Sequence, residues 1–351
     1  MEYKKKYESW LNDEYFDEET KKELKALTDE NEIEDRFYTE LKFGTAGLRG
    51  KIGAGTNRMN KYTVALATQG LAQTIVNKGK DAMDRGVAIA YDVRRYSDQF
   101  AEIAARVLAA NGVKAYLFDG IRPTPVLSYT VRKLNCISGI VVTASHNPKD
   151  YNGYKVYWEE GSQILDNIGN EILAEIASIQ NYSDVKTMDL DNAIDLGLIK
   201  YIGKEIDDAY NQAILDMAIN EDIDKDIKIV YTPLNGTGNI PVRRILKERG
   251  FTNIIVVPEQ EHPDSDFTTV GYPNPEDVKA FNYAAKLGEE IGAEILIATD
   301  PDSDRVAMAA MDDNGYYFLN GNQTGALLIN YILSSRHLKN DLSKNAAISK
   351  V

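Results

Sequence analysis

The 351-residue sequence contains only one cysteine, three histidines and two tryptophans. The single cysteine, Cys136, excludes an internal disulfide framework, and its position beside an apolar stretch predicts a buried small hydrophobic residue. No apolar run is long enough to cross a bilayer, and the polar, charged N-terminus is unlike a secretory signal. These absences predict a cytoplasmic protein with no membrane partner.

An excess of positive charge is also lacking, because the formal net charge is −14 at pH 7. A chain this acidic offers no extended basic footprint, so we expect no nucleic-acid partner. The same charge does not exclude a phosphorylated substrate. A local cluster of arginine, lysine and backbone N–H groups binds phosphate even on an acidic protein.

The hydrophobic pattern alternates between strand and helix periodicity along most of the chain, whose length allows about two or three domains. Apolar strands are predicted at residues 87–91, 113–118, 137–142, 154–158, 227–231, 253–257 and 294–298, with a hairpin at 306–319. The fold class is therefore α/β, with tandem domains built on mixed or mostly parallel sheets. Residues 2–40 predict one or two amphipathic surface helices, residues 180–203 predict a domain connection, and Ser97 is the expected N-cap of a helix.

Residues 143–148, Thr-Ala-Ser-His-Asn-Pro, follow the predicted buried strand at 137–142. A serine at this point is expected to be exposed at the open end of the sheet, where α/β proteins place their chemistry. Ser145 is therefore a candidate nucleophile. Taken alone, a serine that only caps a turn is the more common case.

Residues 300–304 place three carboxylates, Asp300, Asp302 and Asp304, directly after an apolar strand. Like charges this close repel one another unless a cation lies among them, and carboxylate oxygens suit Mg²⁺ or Ca²⁺. The segment is not an EF-hand, because Arg305 stands where that loop requires glycine. The alternative is a solvated acidic turn.

Three further signals are weaker on their own. Residues 43–50 predict a glycine-rich loop whose backbone could approach a ligand, although most such loops are only structural. Arg49 in this loop offers a planar fork to a phosphate. Lys155 follows an Asn-Gly pair that predicts a tight turn, so it could fold back toward Ser145 as a proton carrier, or be a solvated surface lysine. The Gly236-x-Gly238 loop resembles a phosphate cradle, but it lacks the full motif and a structural turn is favoured.

Four motifs occur together and in order: Gly-Thr-Ala-Gly-Leu-Arg at 44–49, Thr-Ala-Ser-His-Asn-Pro at 143–148, Tyr-Asn-Gly-Tyr-Lys at 151–155 and Asp-Pro-Asp-Ser-Asp-Arg at 300–305. This set resembles the α-D-phosphohexomutase family, which includes phosphoglucomutases and phosphomannomutases. The resemblance covers the chain from about residue 42 onward. The helical N-terminal extension is most similar to the bacterial phosphoglucomutase branch.

The resemblance implies a phosphosugar mutase that interconverts glucose 1-phosphate and glucose 6-phosphate through a phosphoserine and a bisphosphorylated sugar. Ser145 would carry the phosphoryl group, Lys155 would transfer a proton and His146 would lie beside the site. Arg49 and Arg305 would stabilise the charge of the transferring group. Glucose 1,6-bisphosphate would be the activator. Further implied roles are substrate binding by Thr45, Arg49, Asn147, Lys155 and Arg305, and one Mg²⁺ held by a phosphate oxygen on Ser145 with Asp300, Asp302 and Asp304.

The same resemblance predicts domain I at residues 1–203, domain II at 204–316 and the opening of domain III at 317–351. A third-domain Gly-Glu-x-Ser sugar loop and a fourth domain are not found, so we expect an N-terminal fragment with weak mutase turnover. Its sugar phosphate is left open between glucose, mannose, glucosamine and pentose phosphates, and its oligomeric state is also open. The alternatives are a non-catalytic metal- or phosphate-binding module, and an acyl hydrolase that lacks the G-x-S-x-G elbow.

Overall fold

Strands and helices follow one another largely as the sequence predicts. The computed structural model describes residues 1–44 and 47–349. The chain divides into two units, Met1–Ile206 and Asp207–Val351. The helices of the first unit are α1 (Glu2–Asn12), α2 (Glu18–Lys25), α3 (Glu30–Phe37), α4 (Lys61–Asn77), α5 (Lys80–Arg85), α6 (Ser97–Ala110), α7 (Thr124–Lys133), α8 (Asp166–Ser178) and α9 (Leu190–Asp195). Its strands are β1 (Gly47–Lys51), β2 (Val87–Tyr91), β3 (Ala115–Phe118), β4 (Ser138–Val142), β5 (Tyr151–Trp158) and β6 (Ile199–Ile202).

The division between the units falls within α10 (Lys204–Asp216). The second unit then has the strands β7 (Ile229–Thr232), β8 (Ile254–Val256), β9 (Ile295–Thr299), β10 (Val306–Asp312) and β11 (Gly315–Leu319). Its helices are α11 (Asn239–Glu248), α12 (Pro258–Glu261), α13 (Asn282–Ile291) and α14 (Gly321–Leu338). Short 3₁₀ turns occur at Tyr182–Asp184 and Val278–Phe281. The domain boundaries predicted at residues 203 and 316 stay predictions.

The first sheet has the strand order β1-β5-β4-β2-β3-β6. β4, β2, β3 and β6 run parallel, and β1 and β5 run antiparallel to their neighbours. A hydrophobic cluster with α4, α6 and α8 covers one face, and α7 packs on the other, where Leu127 and Val131 lie over Gly139. Because the parallel strands end at a common edge, the loops after β2 and β4 meet there.

The second sheet has the order β11-β10-β9-β7-β8. β9, β7 and β8 are parallel, and β10 and β11 form the predicted antiparallel hairpin. Both sheets are therefore mixed, which confirms the tandem α/β fold class. The turn between β9 and β10 contains the three aspartates. Because β9 and β10 pair with each other, this turn is held at both ends by the sheet.

Three sequence-based expectations about the fold were wrong. Residues 2–40 form three helices, and their aromatic side chains Trp10, Phe16 and Phe37 are buried in a cluster with Tyr62. Residues 180–203 do not form a connection, because β6 completes the first sheet beside β3. The predicted glycine-rich loop at residues 43–50 instead contributes a strand, β1.

Cys136 is a buried free thiol, as the sequence predicts. Burial raises its pKa to about 12. No helix among residues 1–44 and 47–349 is both long and apolar enough to cross a membrane.

Candidate active site

The loop after β4 carries Ser145 in a left-handed backbone conformation, with a φ of 52°. The Ser145 N–H donates to Thr143 Oγ1 at 2.8 Å, and Ser145 Oγ lies 3.1 Å from His146 Nδ1. The expectation of an exposed serine was wrong, because Ser145 is only 3% exposed. The loop folds back on itself here, with the Asn147 N–H donating to the Ala144 carbonyl at 3.0 Å.

Arg94, which the sequence analysis missed, holds this loop through its buried guanidinium. Its side chain and that of Asp92 have no exposed surface, and Arg94 Nε lies 3.3 Å from Asp92 Oδ2. The Arg94 guanidinium donates to the carbonyl oxygens of Ser145 at 2.5 Å, Asn147 at 2.6 Å, Pro148 at 2.9 Å and Tyr151 at 3.1 Å. One buried side chain thus supplies donors to four carbonyls of this loop, and the Pro148 carbonyl also accepts from the Tyr151 N–H at 3.1 Å.

Asp92 connects this arginine to the rest of the loop. Its carboxylate accepts from Thr143 Oγ1 at 2.6 Å, from Ser97 Oγ at 2.9 Å and from the Arg94 N–H at 2.9 Å. The expected N-cap role of Ser97 was wrong, since Tyr96 is the N-cap of α6 and Ser97 is its first residue. The Ser97 hydroxyl serves the buried network.

Arg49 lies on β1, opposite Gly153 of β5. Its Nη1 donates to Asn147 Oδ1 at 3.2 Å, so the structure brings together two of the predicted substrate-binding residues. Gly47 has a φ of 133°, and a Cβ added there would lie 1.9 Å from the Tyr154 carbonyl oxygen. Close strand packing therefore explains this glycine. Thr45 lies outside the described residues.

Lys155 lies within β5, beside Val141 of β4, and is 7% exposed. The predicted Asn-Gly turn before it was wrong, because Asn152 and Gly153 are part of the same strand. A Cβ added at Gly153 would lie 2.4 Å from the Thr143 carbonyl oxygen, so this glycine allows β5 to approach the Ser145 segment. Strand alternation places Lys155 on the face opposite the cluster-forming Tyr154 and Val156.

The β9–β10 turn gathers the three aspartates. Asp300 and Asp302 are fully buried and Asp304 is exposed, and one oxygen of each lies within 4.8 Å of the others. The Arg305 N–H donates to Asp300 Oδ1 at 3.0 Å, and Ser303 has a left-handed φ of 54°. This donor set fits a hard metal ion, because three carboxylate oxygens converge and a cation among them would relieve the repulsion between the two buried ones.

The Gly236-x-Gly238 loop is a support for this turn. The Thr237 N–H donates to the Pro301 carbonyl at 2.8 Å, and Thr237 Oγ1 lies 3.3 Å from Ser303 Oγ. A Cβ added at Gly236 would lie 2.5 Å from Pro301 Cα. These glycines are explained by the contact between two loops of the second unit. Behind it, Tyr231 Oη lies 2.8 Å from Thr299 Oγ1.

Arg305 extends from the end of the aspartate turn. Its side chain is 37% exposed, and Nη1 lies 3.7 Å from Glu276 Oε2. The structure thus places Ser145, His146, Asn147, Arg49 and Lys155 in the first unit. The aspartates and Arg305 belong to the second.

Sequence comparison assigns both units to one family. Residues 40–183 match phosphoglucomutase/phosphomannomutase, alpha/beta/alpha domain I, and residues 208–314 match domain II of the same family. The chain belongs to the phosphoglucomutase/phosphomannomutase family. This confirms the resemblance inferred from the four motifs.

Curated relatives in this family include phosphoglucomutases from two staphylococci. The chain is 38% identical to that of Staphylococcus epidermidis over 324 residues, which is 92% of this chain and 58% of that protein. It is 39% identical to that of Staphylococcus aureus over 327 residues, 91% of this chain and 58% of that protein. The chain thus spans less than two thirds of the length of these relatives.

Solved structures of the family share the fold. A phosphoglucomutase/phosphomannomutase family protein from Burkholderia thailandensis superimposes with a TM-score of 0.66 at 23% identity, covering 83% of this chain and 58% of that one. At this identity the likeness extends to the fold alone. It agrees with the mixed sheets described above.

Proposed function

We propose that the chain acts in a phosphosugar mutase reaction, interconverting glucose 1-phosphate and glucose 6-phosphate through a phosphoryl group on Ser145. One observation carries the proposal. The loop at the edge of the sheet presents a single serine, Ser145, whose carbonyl is held by Arg94 and whose N–H is held by Thr143. Family membership and the named phosphoglucomutase relatives support this reaction class.

Phosphoryl transfer needs an oxygen nucleophile, a place for its proton and positive charge around the transferring group. Ser145 Oγ would attack phosphorus of glucose 1,6-bisphosphate, which forms the Oγ–P bond and breaks a sugar O–P bond. The serine proton would pass by way of Lys155, the proposed carrier, to the departing sugar oxygen, which leaves as a hydroxyl group. In the reverse step, phosphorylated Ser145 donates the phosphoryl group to the other hydroxyl of the sugar monophosphate. This step forms the bisphosphate again and frees the serine.

Arg49 and Asn147 are proposed to bind the phosphate or the sugar beside Ser145, because they already share a hydrogen bond in the first unit. Arg305 is proposed to stabilise the charge of the transferring group, and Thr45 to bind substrate. Arginine suits this role because its planar donors match phosphate oxygens in pairs.

Asp300, Asp302 and Asp304 are the residues that would hold Mg²⁺, because their oxygens converge within 4.8 Å. A bound Mg²⁺ would neutralise negative charge on the transferring phosphoryl group. A mannose or pentose phosphate would fit the same first steps. Glucose is proposed because the relatives described above are named phosphoglucomutases.

The test is intact mass spectrometry after incubation with glucose 1,6-bisphosphate and Mg²⁺. Wild type should gain one phosphate and Ser145→Ala none. Ser178→Ala is the matched control: Ser178 ends α8 on the surface and donates only locally, to the Glu175 carbonyl, so this variant should label like wild type. Equal labelling of Ser145→Ala and wild type would refute the assignment.

The same assay distinguishes the proposed phosphoryl transfer from the non-enzymatic alternative. A passive metal- or phosphate-binding module would bind Mg²⁺ and retain the sugar bisphosphate without forming a covalent serine ester. In that case calorimetry would detect both ligands while the mass of the denatured chain stays unchanged.

A further inference from the structure

The Ser145 loop takes its shape from side chains that lie about fifty residues earlier in the chain. Four carbonyl oxygens between residues 145 and 151 converge on the Arg94 guanidinium at 2.5 to 3.1 Å. We infer that Arg94, oriented by Asp92, is a positioning residue for phosphoryl transfer at Ser145. This inference rests on the proposed function.

Arginine is the side chain that fits this arrangement. A guanidinium presents five N–H donors in one plane, whereas a lysine ammonium presents three from a single point. Arg94 uses both terminal nitrogens, each for two carbonyls. Lysine would keep the charge here but could not reach all four oxygens in the same geometry.

The network fixes Ser145 on both sides of its α-carbon. Its carbonyl accepts from Arg94, and its N–H donates to Thr143 Oγ1. Together these contacts hold a φ of 52°, a left-handed conformation that is unfavourable for a residue with a Cβ. With both backbone groups held, the direction of the Cα–Cβ bond is set, so Oγ is confined to the staggered positions around that bond.

Both contacts depend on the same buried carboxylate. Asp92 accepts from Thr143 Oγ1 at 2.6 Å and lies 3.3 Å from Arg94 Nε. A nucleophile displaced by about 1 Å loses on the order of 10²-fold in rate, because in-line attack requires a defined approach. Arg94 therefore acts on the rate of transfer through Ser145, without being required to touch the phosphate.

The test is Arg94→Lys in a single-turnover phosphorylation assay with glucose 1,6-bisphosphate and Mg²⁺. The rate constant at saturating donor should fall by roughly 10- to 100-fold. The final extent of labelling and the donor concentration that gives half the maximal rate should change little. A purely structural role would instead lower the labelled fraction and leave the rate constant of the folded molecules unchanged.

Arg58→Lys is the matched control. Arg58 is 3% exposed, pairs with Asp35 at 2.5 Å and donates to the Asn57 carbonyl at 3.0 Å, so it is also a buried arginine bound to carboxylate and carbonyl oxygens. Its side-chain partners are Glu32 and Asp35 of α3 and Asn57 in the segment between β1 and α4. Arg58→Lys should therefore label at the wild-type rate even if its melting temperature falls.

Hydrogen exchange on the unphosphorylated protein gives a readout that needs no activity. Arg94→Lys should accelerate exchange in residues 143–151 and leave β2 and β4 protected. If Arg94→Lys fails to fold, Thr143→Val removes the acceptor of the Ser145 N–H with little change in shape and should show the same slowed labelling. Wild-type rates and wild-type exchange in the folded variants would overturn the inference, whereas absent labelling of wild type would refute only the proposed function.

Discussion

Replacing Asp302 by asparagine should stabilise the metal-free protein and weaken the stabilisation that Mg²⁺ provides. Asp300 and Asp302 are both fully buried, and their carboxylate oxygens lie within 4.8 Å of each other. Without a cation, two negative charges in this position repel. Asparagine has nearly the same shape and removes one of the charges.

The size of the effect follows from that separation. Two like charges 4.8 Å apart repel by about 3.5 kcal/mol at an effective dielectric constant of about 20. The Arg305 N–H donates to Asp300 and offsets part of this repulsion. We therefore expect Asp302→Asn to raise the free energy of unfolding by about 1–3 kcal/mol in EDTA.

Added Mg²⁺ should raise the free energy of unfolding more for wild type than for Asp302→Asn. A ligand at a hundred times its dissociation constant stabilises the folded state by about 2.7 kcal/mol, and a site with one carboxylate fewer binds more weakly. The assay is urea unfolding in EDTA and across a Mg²⁺ titration. Asp313→Asn is the control, since Asp313 is an exposed acidic residue in the β10–β11 turn.

Two results would contradict this reasoning. Equal Mg²⁺-induced shifts for wild type and Asp302→Asn would show that the aspartate turn does not bind the cation. A loss of stability of Asp302→Asn in EDTA would show that repulsion between the buried carboxylates is not the dominant effect.

Four further predictions concern the buried thiol and the packing of the two units. Because burial raises the pKa of Cys136 to about 12, its thiolate is scarce near neutral pH, so Ellman's reagent should react only after denaturation; fast reaction of the native protein would contradict this. Between about pH 9 and 12 the thiol of the unfolded chain loses its proton while the native Cys136 thiol keeps it. Wild type should therefore lose stability relative to Cys136→Ala as pH rises through this range. Gly47→Ala should destabilise the first unit by about 3 kcal/mol or more, since its Cβ would overlap the Tyr154 carbonyl; an unchanged melting temperature would contradict the close approach. Tyr231→Phe should cost about 1–2 kcal/mol, because Thr299 Oγ1 loses its partner behind the aspartate turn, and an unchanged urea midpoint would show that this hydrogen bond adds no stability.

The sequence was sufficient for the local parts of the candidate site. Ser145 and the three aspartates each follow an apolar strand, and a strand with its terminal loop is a contiguous pattern. Arg49 and Lys155 were identified from motif context, although both segments were predicted as loops or turns. They form paired strands, because Gly47 of β1 and Gly153 of β5 allow the two backbones to pack closely.

Long-range contacts account for what the sequence analysis missed. Arg94 bonds carbonyls that lie 51 to 57 positions later, which no local periodicity reveals. The Asp92-x-Arg94 pair directly after an apolar strand was the available signal. Lys200 and Tyr201 of β6 are both exposed, so this edge strand lacks the alternation that identifies strands. Burial of Trp10 depends on Tyr62, which lies outside the N-terminal helices.

The central claim is that Ser145 accepts a phosphoryl group in a reaction that needs the aspartate turn. It is tested most directly by tandem mass spectrometry of the tryptic peptide covering residues 134–149, which contains the hydroxyls of Ser138, Thr143 and Ser145. After incubation with glucose 1,6-bisphosphate and Mg²⁺, the phosphate should be on Ser145 alone, and it should be strongly reduced in EDTA and in Asp302→Asn. An unmodified peptide, a phosphate on another hydroxyl, or labelling that is independent of both Mg²⁺ and Asp302 would contradict the account.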